Sequence, residues 1–390
     1  MHGFFDTIVD RRGTDSLKWD KLKERYGDAD LLPFWVADMD FRVMPQLAEA
    51  IAARAAHPSY GYSFASKEYY QNFIDWNSAR NQYDILREEI LSVPGVVCAS
   101  AFIIHALVSP GGKVMFCSPV YTPFYSVTKE QGRQVVTSSL RINNGRYEMD
   151  WADIEAKLAG GVELLILSNP HNPIGRVWSR EELKKLGDLC LRYGVIVFSD
   201  DIHSDLIMPG STYTPLPVLS EAIKNNTVLA MAPSKTFNIA GLNSSYLVIA
   251  NPTLRKKVHK ALQSFHLDIN LFGLKAAEAA YGAGAQWVGE LTDYLLKNAQ
   301  TVVRFCAEHL PRVKTFVPEG TYLMWLDFSD YRLPQAALMQ KLQAEAKVAL
   351  NDGSHYGPEG IGFARLNIGT SREMLLQGLA QIASAFASVN

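Results

Sequence analysis

The chain reads as an α/β protein, with a large domain whose mainly parallel sheet lies between helices and a smaller α+β domain. Short, almost unbroken apolar runs predict the sheet: "VELLILS" (162–168), "VIVFSDD" (195–201) and "TVLAMA" (227–232). Such runs suit strands buried on both faces. A helical pattern joins the first two, and the two chain ends lack this rhythm.

Each element follows from local chemistry. "VELLILS" runs into a turn rich in Pro and Asn, "NPHNPIG". "SREELKKLGDLCLRYG" then opens with a capping box, Ser179 with Glu182 three residues on. Its Leu183, Leu186, Leu189, Cys190 and Tyr193 keep helical spacing, and Gly194 stops it. "IGFARLNIG" alternates, with Ala364, Leu366 and Ile368 on one face and Arg365 and Asn367 on the other. That pattern predicts a half-buried strand, followed by a terminal helix capped by Thr370 with Glu373. A helical stretch is expected from Cys98, after "PGVV", and a longer one after about Phe272. The expected division is a large domain over 46–280 and a small one from both ends, 1–45 and 281–390.

Composition narrows the function classes. The 390 residues are 48% hydrophobic and 20% charged, with a net charge of −2, so no basic surface for nucleic acid is expected. Cys98, Cys117, Cys190 and Cys306 form no C-x-x-C pair, which points away from zinc and disulfides and toward a reducing cytoplasm. The start, "MHGFFDTIVDRRG", has no signal-peptide core, and no apolar run approaches the roughly 20 residues that span a bilayer.

One lysine stands out. Between Asn225 and Leu254 no other Asp, Glu, Lys or Arg accompanies Lys235. Ligands in such sheets sit beyond the carboxyl ends of the strands. The three strand exits here carry Asn169 and Asn172, Asp200 and Asp201, and Ser234 and Lys235. An amine taken out of water loses its proton more easily and becomes nucleophilic. Beside a carboxylate it suits an aldehyde cofactor: pyridoxal phosphate needs an amine, an anion for its ring nitrogen and donors for its phosphate. Lys235 meets the first demand and Asp200 the second.

In this order, "SNPHNPIG", "VFSDDIH", "APSKTFNIAG" and "FARLNIG" resemble fold type I pyridoxal-phosphate enzymes of the aminotransferase superfamily. With "DLLPFWVADMDF", "YGYSF" and "SPVYTPFY" the chain is most similar to its cystathionine β-lyase branch, the MalY/PatB C–S lyases. The resemblance covers nearly the whole chain. It implies that Lys235 binds the cofactor aldehyde and moves the α-proton, and that Asp200 pairs with the ring nitrogen. It places Asn172 and His203 at the ring oxygen, Tyr121 on the ring, and Arg365 on the substrate carboxylate, with Ala37 beside it. The backbone at Val96 and Val97, the Ser234 hydroxyl and Tyr62 of a second subunit would hold the phosphate. A cytoplasmic homodimer follows from the same likeness, acting on a small amino acid without nucleic acid, membrane or metal.

Two positions depart from many aminotransferases: Asn243 stands where they carry Arg, and Ala232 where they carry Ser. Both changes fit the lyase branch. The implied reaction is α,β-elimination from cystathionine or a related β-thio amino acid, giving pyruvate, ammonia and a thiol. The alternative is an aminotransferase of the same fold. A regulatory protein on this scaffold is the rival of another class, and a missing catalytic group would mark it; Lys235, Asp200 and Arg365 are all present.

Overall fold

The structure is a computed structural model that describes residues 3–143 and 145–387, so the outermost residues of the expected end-built domain lie outside it. Seven strands form its central sheet: β1 (Ile90–Val93), β2 (Lys113–Ser118), β3 (Gln134–Ser139), β4 (Val162–Ser168), β5 (Ile196–Asp200), β6 (Thr227–Met231) and β7 (Ser245–Val248). Their spatial order is β1-β7-β6-β5-β4-β2-β3. From β3 to β6 all neighbours are parallel, while β7 is antiparallel to both of its neighbours.

The continuous apolar runs arise because both faces of this sheet are covered. Leu164, Ile166, Phe198 and Val228 point to one side, where helices α1 (Val96–Leu107) and α4 (Pro252–Ser264) pack with Phe102 and Val258. Leu165, Leu167 and Val197 point to the other, against Leu183, Leu186 and Cys190 of α2 (Arg180–Arg192). Each such side chain contributes about 1.5–3 kcal/mol by leaving water. The capping box of α2 forms as expected: Ser179 Oγ accepts from Glu182 N at 3.2 Å, and Glu182 Oε2 accepts from Ser179 N at 2.8 Å. Gly194 ends the segment at a φ of 68°, where a side chain would be strained.

Lys235 lies on a single turn, α3 (Pro233–Thr236), directly after β6. Two further helices, α5 (Leu271–Ala283) and α6 (Ala285–His309), meet at Gly284. A Cβ on Gly284 would collide with the Phe237 ring, which explains the glycine at this break. Beyond α6, a second sheet of β8 (Leu323–Asp327), β9 (Asn351–Asp352) and β10 (Phe363–Asn367) is antiparallel, ordered β8-β10-β9. Leu366 and Ile368 share an apolar cluster with Phe34, Met39 and Leu295, so residues from both chain ends pack together.

Three expectations need correction. Strand β10 is buried on both faces rather than half-buried, with Arg365 3% and Asn367 0% exposed. Its polar face is covered by the extended segment 35–38, whose carbonyls accept from these side chains. The terminal helix, α7 (Arg372–Phe386), is capped by Ser371, whose Oγ accepts from Met374 N at 3.3 Å. Thr370, the expected cap, instead contacts Met374 Sδ at 3.2 Å, because the helix begins one residue later. Finally, α1 starts at Val96 rather than Cys98. Gly95 is its N-cap and provides no side-chain signal for the sequence to display.

Candidate active site

A cavity of about 560 Å³ opens beyond the carboxyl ends of β4, β5 and β6. The turns that leave those strands deliver Asn172, Asp200 and Lys235 to its wall. Ala37, Tyr121 and His203 also line it, as do Val96, Val97 and Ser234. Arg365 stands directly behind Asn172: its Nη1 donates to Asn172 Oδ1 at 3.1 Å. Tyr62 does not line the cavity and is fully exposed, and of the strand-exit residues Asn169 and Asp201 also lie outside the lining.

Electrostatics follow from burial. Lys235 Nζ donates to Ala37 O at 2.7 Å. Burial pushes its pKa down to about 8, Arg365 adds repulsion, and Asp38 and Asp200 work the other way. Asp200 is pushed up to about 7, again by burial, against the pull of the Ile202 N–H and of Lys235. Its carboxylate accepts from Ile202 N at 3.2 Å. The neighbouring Asp201 turns away from the cavity and accepts from Ser199 Oγ and the Tyr213 hydroxyl. Burial also lifts the Asp201 carboxyl, to about 8.

His203 is buried, and its imidazole is held well below its ordinary pKa by burial, reinforced by Lys235 and Arg365. The ring is therefore neutral. Its Nδ1 has no hydrogen-bond partner among the described residues, and neither has Arg365 Nε. Buried polar atoms rarely stay unpaired in native proteins, so both atoms are free to bond a ligand. Arg365 Nη2 donates to Trp35 O at 2.8 Å, and the guanidinium lies 5.3 Å from the Tyr356 ring centre. At the far wall, α1 points its N-terminus at the cavity with no side-chain cap. Backbone N–H groups there attract an anion.

Several residues escaped the sequence reading. Asn238 Oδ1 accepts from Met39 N at 2.9 Å, and its Nδ2 donates to the carbonyls of Met39 and Phe41. Tyr322 donates to Ala37 O at 2.8 Å. Asn243 lines the cavity at a φ of 49°, a left-handed conformation that Asn tolerates better than most residues.

This arrangement belongs to a known class. Residues 30–382 match the family described as aminotransferase class I and II, and the chain is a member of it. It is 43% identical over 385 residues to cystathionine beta-lyase PatB of Bacillus subtilis, covering 98% of this chain and all of that one. Protein MalY of Escherichia coli is 33% identical, with 99% of each chain covered. The structure of cystalysin from Treponema denticola, which contains pyridoxal 5'-phosphate, superposes with a TM-score of 0.96 at 32% identity, over 99% of both chains.

Proposed function

We propose that this protein is a pyridoxal-phosphate-dependent carbon–sulfur β-lyase, acting on cystathionine or a related L-amino acid with sulfur at the β-carbon. The observation that carries this reading is the easily deprotonated Lys235 amine sharing one cavity with the buried Asp200 carboxyl and, behind Asn172, the Arg365 guanidinium. The likeness to PatB and MalY favours the lyase over a transaminase.

The residues present fit the cofactor. The unpaired Nδ1 of His203 and the uncapped start of α1 are sites for polar and anionic atoms. Bound pyridoxal phosphate supplies an aldehyde for the lysine amine and a cationic ring that draws electrons from the substrate α-carbon. Asp200 would hold the proton on the ring nitrogen, and that cation would offset the burial that otherwise favours its neutral form. Asn172 and His203 would bond the ring oxygen, and Tyr121 would cover the ring. The N–H groups of Val96 and Val97 and the Ser234 hydroxyl would hold the phosphate. Arg365, with Ala37 beside it, binds the substrate carboxylate through a planar fork suited to two parallel hydrogen bonds. Lys235, its amine set free when the substrate amine takes its place, would remove the α-proton as general base. The C–S bond breaks and its electron pair leaves with the thiolate. The enamine that remains takes up water and becomes pyruvate and ammonia.

The same reading gives a homodimer. Tyr60, Tyr62 and Phe64 are exposed on one irregular stretch, while Val97 and Leu267 expose apolar surface at the cavity wall. A second copy covers both surfaces and brings its Tyr62 to the phosphate. In the same reading the small domain is built from both chain ends, 1–45 and 281–390, and the large one spans 46–280. A cytoplasmic setting suits the four free cysteines. Among the described residues no helix is long and apolar enough to cross a membrane.

The deciding experiment is incubation with cystathionine and no 2-oxo acid. Continuous pyruvate release is expected. Release that begins only after an acceptor acid is added assigns the protein to the transaminases instead. Sedimentation of the pure protein checks the dimer, and a purely monomeric species removes it.

A further inference from the structure

The segment from Trp35 to Phe41 has an unusual way of satisfying its backbone. Each carbonyl from Trp35 to Met39 accepts from a side chain. Trp35 O takes Arg365 Nη2 at 2.8 Å and Asn351 Nδ2 at 2.6 Å. Val36 O and Asp38 O both take Asn367 Nδ2 at 2.6 Å. Ala37 O takes Lys235 at 2.7 Å and Tyr322 at 2.8 Å, and Met39 O takes Asn238 at 2.8 Å. This ribbon is the common acceptor for the lysine turn and for the arginine strand. Its position therefore sets the positions of both.

The ribbon is anchored from its own N-terminal side. Lys18 is 0% exposed and Asp40 6%, and Lys18 Nζ lies 2.6 Å from Asp40 Oδ2. The other oxygen of Asp40 accepts from Trp19 Nε1 and from Arg11 Nη1, each at 3.0 Å. Arg11 also grips Asp38 with two hydrogen bonds, of 2.9 and 2.7 Å. Two cations and two carboxylates thus form a neutral cluster on the ribbon. A charge pair this deep is an expensive way to gain stability, since apolar residues of similar size generally do as well. Its directional bonds serve placement instead.

We propose that Lys18 and Asp40 are positioning residues of the active site, their buried ion pair fixing the ribbon that orients Lys235 and Arg365. This rests on the lyase reading for its kinetic consequence, while its structural part stands alone. Neither residue touches the cavity. They act through Ala37 O and Trp35 O.

The test replaces the pair by apolar residues, Lys18→Met with Asp40→Leu, and uses Asp40→Asn as a second variant that keeps size and leaves no carboxylate. In cofactor-free protein, amide hydrogen exchange of residues 35–41 is expected to quicken about tenfold, with the central sheet unchanged. In the loaded enzyme KM for cystathionine is expected to rise roughly tenfold as the arginine is displaced, and kcat to fall severalfold as the lysine is. Exchange that is unchanged in both variants, or that quickens equally in the central sheet, overturns the proposal; so does an unaltered KM. A wild-type protein that releases no pyruvate, with variants that still show the local exchange, supports the anchor and removes the lyase reading. Active wild type with silent variants removes the anchor alone.

Discussion

Lys235 lines the cavity and Arg365 stands behind its wall at Asn172, and the two are held in opposite manners. The lysine rides on one helical turn after β6, makes one hydrogen bond, to Ala37 O, and has its pKa pushed down to about 8 by burial. The arginine projects from the middle of β10, bonded to Asn172 and Trp35, with the Tyr356 ring against it. A loosely held amine that sheds its proton can carry protons during a reaction. A guanidinium, which keeps its charge at any accessible pH, can only recognise. In the proposed lyase the contrast would separate chemistry from recognition.

The sharpest way to break this contrast is Lys235→Ala. Pyruvate release from cystathionine is expected to fall by at least about 10³-fold, within the range attributed to a positioned general base. A variant that kept a tenth of the activity would remove the lysine from the chemistry.

A second test reads the lysine by stability. Its folded pKa, about 8, lies below the ordinary 10.5. Between those values the unfolded chain binds more protons, so the fold gains stability as pH rises. In cofactor-free protein, wild type should therefore gain on Lys235→Met between about pH 8 and 10.5, by at most roughly 3 kcal/mol. Urea melts at stepped pH supply the measurement, and parallel curves would refute the low pKa.

Arg365→Lys keeps the charge and removes the fork. The loss of one charged hydrogen bond, about 2 kcal/mol, should reduce kcat/KM roughly 30-fold, chiefly through KM. Steady-state kinetics with cystathionine reads it. A fall confined to kcat would mean that the arginine does more than recognise.

The smallest effect lies outside the contrast. Ser179→Ala removes the cap of α2, at a cost of about 1 kcal/mol. The melting temperature should drop by roughly 1–2 °C with kinetics unchanged. Altered kinetics would show that α2 is coupled to the cavity.

Much of the site was legible because strand exits project their side chains by simple geometry. Asn172, Asp200 and Lys235 each follow an apolar run, and each reaches the cavity wall. Arg365 could be read as the one cation in an alternating strand, yet its full burial could not, since the cover comes from residues more than 300 positions away. The ribbon 35–41 was illegible as a clasp because it acts through backbone carbonyls, which every residue has. The start of α1 was misplaced for a related reason: its N-cap is a glycine. At α7 the Thr370–Glu373 spacing pointed to a cap one residue too early, and Ser371 is the cap. Tyr62 is fully exposed in the single chain and meets none of the site residues there.

One further consequence comes from α6. Near its start Trp287 stacks on Phe237, two residues beyond Lys235, with ring centres 5.7 Å apart. Eleven residues later Asn298 Nδ2 donates to Ile368 O and Thr370 O, just past the strand that carries Arg365. At about 1.5 Å of rise per residue, the two attachments are roughly 17 Å apart along one rod. The spacing between the turn of Lys235 and the strand of Arg365 is thus written in helical phase. One residue inserted between Trp287 and Asn298 would swing the second attachment by about 100°, so this stretch of chain has no freedom to change its length.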